Sequence, residues 1–146
     1  MDAWLPQLLL TIDHAQPKLA AVSESQAGVP VKPGGWSRKQ ILGHLIDSAS
    51  NNHQRFVRCL LNGGLTAWPS YEQNGWVETG RYQELQWAEL VEFWCAYNRL
   101  LHHILSRVPN EKFSLTCEVS EKRMPLGELA RAYVEHMEHH LTQILD

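Results

Sequence analysis

Two histidines, His136 and His140, stand four residues apart in the stretch LGELARAYVEHMEHHLTQILD, which begins at Leu126. On a helix turning about 100° per residue they share a side with Leu129, Tyr133, Met137 and Ile144, while Arg131, Glu135, Glu138 and Thr142 fall on the other side. Two imidazoles one turn apart therefore face the core. A buried neutral imidazole needs partners for both ring nitrogens, and one divalent cation can serve a nitrogen of each. The competing reading is a pair of core imidazoles bonded to carbonyls or carboxylates. His139 is turned by about 100° from His140 and is not expected to bind with it.

Two familiar metal motifs do not fit. The HExxH helix of zinc proteases puts its general base directly after the first histidine, where this chain has Met137. A ferritin-like di-iron centre takes Glu-x-x-His from two helices, and no Glu lies three residues before any His here. The remaining metal reading is a mononuclear site with two ligands from the last helix, a third from elsewhere, and at least one position left for water or substrate.

The elements that must position such a site are legible from periodicity. At 146 residues one domain is expected, able to bury a core without help from a metal. Residues 3–23 carry apolar positions at helical spacing and read as one helix kinked at Pro17; 26–35, with three Gly and two Pro, reads as a loop. Ser37 as N-cap, Gln40 closing a capping box, and Trp36 stapled to Ile41 start the second helix, which Gly63-Gly64 stops. Ile41, Leu42, Leu45, Ile46, Ala49, Phe56 and Leu60 form its apolar face, flanked by a polar seam of His44, Ser48, Asn51, Asn52 and Arg55. A helical wheel puts His53 nearer the middle of the apolar face than His44, so spacing does not choose a third ligand between them.

Residues 63–82 read as a loop whose Trp68, Tyr71, Trp76 and Tyr82 cap the bundle or line a pocket mouth. A third helix over 85–108 follows, with Leu90, Trp94, Tyr97, Leu101, Ile104 and Val108 as its seam and His102 and His103 outside it, and Pro109 ends it. Residues 113–119 alternate briefly, and with a turn at 120–122 suggest a short two-stranded ribbon before the last helix. The fold class is all-α, a four-helix bundle.

Composition excludes several partners. The net charge is −3 with His neutral, and the 13 Lys and Arg form no basic run, so a nucleic-acid partner is not expected. The absence of long apolar stretches argues against a membrane, and cytoplasmic residence is the default. Cys59, Cys95 and Cys117 are far apart without a CxxC, so they read as small core residues, or in the case of Cys117 as a loop thiol.

The residues Trp36-Ser37, then Ile41-Leu42-Gly43-His44-Leu45-Ile46-Asp47-Ser48, Asn51, Asn52 and Arg55-Phe56, taken with Tyr133-x-x-His136-x-x-x-His140 before Gln143-Ile144, resemble the DinB/YfiT-like superfamily. The resemblance implies an up-down-down-up bundle, often a homodimer, with a divalent ion such as zinc or nickel held by His44, His136 and His140. It favours His44 over His53. It further implies a metal-dependent enzyme acting on a small molecule, either a hydrolase or a transferase of a low-molecular-weight thiol, with a non-catalytic, structural or stress-related metal-binding bundle as the alternative. Three neutral imidazoles leave the full charge on such an ion, which would acidify a bound water toward a pKa of about 7. Ser48, Asn51, Tyr71 and Trp76 are the expected substrate contacts. Tyr133 and Asn52 are the nearest candidates for a catalytic group, and no residue stands out as a general base. Asp47 reads as a surface ion-pairing residue.

Overall fold

The computed structural model describes residues 3–146. Four long helices, α1 (Trp4–Ala20), α3 (Arg38–Asn62), α5 (Trp87–Ser106) and α6 (Leu126–Leu145), pack around one core. α1 and α3 each contact both α5 and α6, so the order around the bundle is α1, α5, α3, α6. Trp94, Phe56, Leu8, Ile12, Leu42, Leu101 and Met137 fill the interior with almost no exposure. The all-α bundle and its late ribbon are as expected.

The capping box forms as read. Ser37 Oγ accepts from the Gln40 amide at 3.2 Å and Gln40 Oε1 accepts from the Ser37 amide at 2.9 Å. This satisfies donors that would otherwise be orphaned at the first turn of α3. Gly63, at φ 73°, closes the other end in the left-handed conformation that glycine adopts most readily.

Three stretches depart from the sequence reading. The first helix ends at Ala20, and a second capping box at Ser23 and Gln26 starts a separate short helix, α2 (Glu24–Ala27), inside what reads as helix end and loop. Glu24 there pairs with the buried Lys39 and accepts the Trp87 amide at 2.8 Å, tying the starts of α3 and α5 together. The third helix is shorter than 85–108 by two residues at each end. Residues 63–82 are also not a plain loop: they contain β1 (Leu65–Trp68) and α4 (Gln73–Gly80). β1 runs parallel to β2 (Thr116–Val119), which pairs antiparallel with β3 (Lys122–Pro125), giving a three-stranded sheet in the order β1-β2-β3. Cys117 is accordingly a buried strand residue rather than a loop thiol, with its Sγ 3.2 Å from Cys59.

Candidate metal centre

α3 carries His44 on the side that faces α6, with none of its surface exposed. α6 carries His136 and His140 at i and i+4, and the helix repeat sets their rings 4.6 Å apart. The His44 ring lies 5.1 Å from that of His136 and 4.7 Å from that of His140. One nitrogen from each of the three lies within 4.8 Å of the others. His44 Nε2 and His136 Nε2 are 3.2 Å apart, close to the roughly 3.3 Å edge of a tetrahedron drawn around an ion with metal–nitrogen bonds of about 2.0–2.1 Å. The donor set and its spacing fit a divalent transition-metal ion.

The surroundings prepare these rings as ligands. His140 Nδ1 lies 2.8 Å from Gln143 Oε1, an acceptor, so Nδ1 carries the hydrogen and Nε2 keeps its lone pair. Burial, followed by the neighbouring imidazoles His140 and His136, holds His44 down to about 4. Burial and the neighbouring His140 and His139 hold His136 down to about 4 as well, and burial lowers His140 against the opposing bond from Gln143. All three are neutral at pH 7, the form that binds a metal. The Trp36 ring lies 5.3 Å from that of His44 and covers it. His53, the alternative that the wheel left open, instead places Nδ1 2.9 Å from the Tyr97 hydroxyl, outside the cluster. His139 and His103 are exposed.

His136 also forms part of the wall of a cavity of about 500 Å³, lined with it by Ser48, Asn52, Arg55, Tyr71 and Tyr133 and closed by the β2–β3 turn. Four of the expected site residues therefore share one space with a histidine of the cluster. Asn52 directs its amide to the Ser48 carbonyl at 2.8 Å. Tyr133 gives its hydroxyl to Asn98 in the core and turns its ring to the cavity. Asn51 and Trp76 lie elsewhere. The Asn51 amide bonds the Asp47 carbonyl at 2.9 Å, and Trp76 packs edge-on against Tyr71 beside a different hollow. A further cavity of about 690 Å³, on which His140, Gln143 and Trp36 lie, borders the cluster by another side.

Asp47 is not a surface residue. It is 4 % exposed, takes a hydrogen bond from the Tyr82 hydroxyl, and leaves Oδ2 buried with no partner. Burial pushes its carboxyl up to about 6, against the lowering effect of the Tyr82 bond. Since the folded-state value lies above the unfolded one, native protein binds the proton more tightly, and the stability linked to Asp47 is full below about pH 4 and lost as pH rises through about 6. Asp47→Asn is therefore expected to raise stability at pH 7.5 by about 2–3 kcal/mol relative to the natural chain, with the difference vanishing near pH 4. Denaturant melts of both proteins at several pH values measure this difference, in which the opposing histidine contributions cancel. A constant difference across pH would refute it.

Comparison with known proteins completes the picture. The sequence profile of the DinB superfamily matches residues 7–144. The chain belongs to that superfamily. A relative from Geobacillus thermodenitrificans called "Putative metal-dependent hydrolase" is 24% identical over 97% of this chain and 80% of its own length. One of the same name from Bacillus cereus is 26% identical over 99% of this chain and 83% of its own. Among solved structures, YfiT from Bacillus subtilis, described as "a probable metal-dependent hydrolase with an unusual four-helix bundle topology", superposes with a TM-score of 0.80 at 19% identity, covering 99% of this chain and 86% of that one. The DinB fold thus places its helices so that α3 and α6 bring the three histidines together. Sequence reasoning gave Gln143 no role and read Tyr82 as an aromatic cap or pocket-mouth residue rather than as the partner of Asp47. The signal for Gln143 was its place three residues after a candidate ligand, one helical turn away.

Proposed function

We propose that this DinB-superfamily chain is a metal-dependent hydrolase of a small molecule, with His44, His136 and His140 holding one divalent ion. The observation that carries the reading is the convergence of three neutral imidazoles at metal-ligand spacing, one of which, His136, lines a cavity of about 500 Å³. A divalent ion held there supplies a Lewis acid and lowers the pKa of water toward about 7. The chain's own residues do the rest. α3 and α6 fix the three donors, Gln143 sets the His140 tautomer, and Ser48 and Asn52 present polar groups to a substrate in the cavity. The names of the relatives support the same chemistry.

A second reading is favoured by one feature. His136 and His140 border separate cavities, which gives room for two reactants. In that reading a low-molecular-weight thiol adds its sulfur to an electrophilic carbon, the leaving group departs with the bonding electron pair, and the thiol proton goes to solvent.

Protein purified without a histidine tag is expected to carry about one equivalent of zinc or nickel by elemental analysis. Such protein should cleave members of an ester and amide panel in thiol-free buffer, lose that turnover to a chelator, and regain it with one equivalent of ion. Turnover that survives chelation overturns the metal-dependent reading. Turnover that appears only when a thiol is added transfers the assignment to the second reading.

A further inference from the structure

Arg55 is 9 % exposed, and a guanidinium does not shed its proton in a protein. A buried permanent charge is expensive unless an opposite charge accompanies it. Here none does. The ion pairs among the described residues join Lys39, Arg81, Arg99, Arg123 and Arg131 to carboxylates, and Arg55 is in none of them. Its Nε is buried without a partner, one Nη reaches Asn52 Oδ1 at 3.5 Å, and its guanidinium carbon stands 5.7 Å from the centre of the Tyr71 ring. Glu121 lines the same cavity but is exposed and makes no bond to Arg55. Arg58, one turn further on, shows the contrast: it is exposed, bonds Gln54 at 2.9 Å and stacks on Trp68.

The uncompensated guanidinium lines the cavity that ends at His136. Arg55 lies eleven positions after His44 on α3, about 16 Å along the helix axis, and its side chain lines the cavity together with that of His136. Ser48 and Asn52 lie between His44 and Arg55 along α3 and line the same cavity as Arg55. We propose that Arg55 binds a carboxylate of the substrate, so that the substrate is a small organic acid anchored at one end by this guanidinium, with its reacting carbon several bonds away toward His136. Planar carboxylates match the fork of an arginine, which is why this class is preferred to other anions. The statement about the reacting carbon rests on the three histidines being a reaction centre; the carboxylate site itself does not.

The test uses glutarate and inorganic phosphate as probes, titrated by calorimetry into whole protein stripped with a chelator and into the same protein loaded with one equivalent of zinc. Glutarate is expected to bind the stripped protein saturably. Arg55→Gln is expected to weaken that binding by about ten- to a hundredfold, the loss of a charge-assisted pair, and phosphate to bind less tightly than glutarate. Glutarate binding that is absent, or equal in Arg55→Gln, overturns the inference, as does Arg55-dependent binding in which phosphate is the tighter ligand. Arg55→Met separates this from a folding defect. Replacing an uncompensated buried cation by an apolar chain of similar length should leave the melting temperature equal or higher while abolishing the tight glutarate site. A melt well below that of the natural chain would mean that the protein already compensates the charge, and would sink the proposal. Because stripped protein is the primary sample, failure to find a resident metal leaves the carboxylate site standing, and a metal-dependent protein indifferent to Arg55→Gln leaves the hydrolase reading standing.

Discussion

Replacing His44 by alanine is expected to remove about one equivalent of divalent ion from the protein and to weaken its metal affinity by more than a hundredfold. The magnitude follows from the geometry. Removing merely a hydrogen-bonding partner of a metal-bound histidine lowers affinity by about 10–100-fold, and in the proposed site His44 Nε2, 3.2 Å from its counterpart on His136, is itself one of three donors. The two histidines left on α6 span a single helical turn and retain at best a loose site. The scaffold itself should survive, since α3 is held by Ile41, Leu42, Leu45 and Phe56 in a core that needs no ion. His53→Ala is the control: its ring bonds Tyr97 outside the cluster, and the metal content should not change. Elemental analysis of tag-free proteins, with circular dichroism to verify the fold, decides the matter. An unchanged metal content in His44→Ala would remove the basis for the proposed chemistry.

Gly43→Ala, one residue earlier, is expected to destabilise the protein by about 3 kcal/mol and to lower its melting temperature by roughly 10 °C. Alanine normally improves a helix interior by up to about 1 kcal/mol over glycine, so helix propensity alone predicts the opposite sign. Packing reverses it. A Cβ on residue 43 would lie 2.1 Å from Cδ2 of Tyr82 and 2.3 Å from its Cγ. The ring is held by its close packing on the Gly80 backbone and by its hydroxyl, which is committed to Asp47. Moving Tyr82 would also leave the buried Asp47 carboxyl with no donor, which adds about 1–3 kcal/mol to the overpacking. The double variant with Tyr82→Ala should recover part of the loss, since the two positions share one contact. A Gly43→Ala protein that melts at or above the natural chain would show that the ring moves freely.

What the sequence disclosed follows the range of the interactions involved. The α3 start was legible because its capping box is made within four residues, and the apolar face of α6 because a helix repeats locally. His44 could not be separated from His53 by periodicity, since what distinguishes them is the tertiary neighbourhood: α6 and Trp36 for one, Tyr97 of α5 for the other. Resemblance to DinB proteins supplied the choice, and the convergence of the three rings agrees with it. β1 escaped notice because its partner, β2, lies about fifty residues downstream and pairs in parallel, so no hairpin turn announces it. Asp47 was misread for a related reason. The segment that buries it, with Tyr82, stands in a Gly- and Pro-rich stretch whose own helix α4 is short. The isolation of Arg55 was likewise invisible, because a sequence shows a cation but not the missing anion.

All three candidate donors reside on two neighbouring rods, α3 and α6, while α1 and α5 contribute none. The dimensions of the coordination polyhedron are thus governed by how these rods slide and roll against each other. If the proposed ion is held there, substitutions that shift their seam would alter which ion radius is accommodated, and by reciprocity the ion would bias the register of the rods. Selection for one metal over another would then act on ordinary aliphatic packing, leaving the candidate trio of imidazoles untouched.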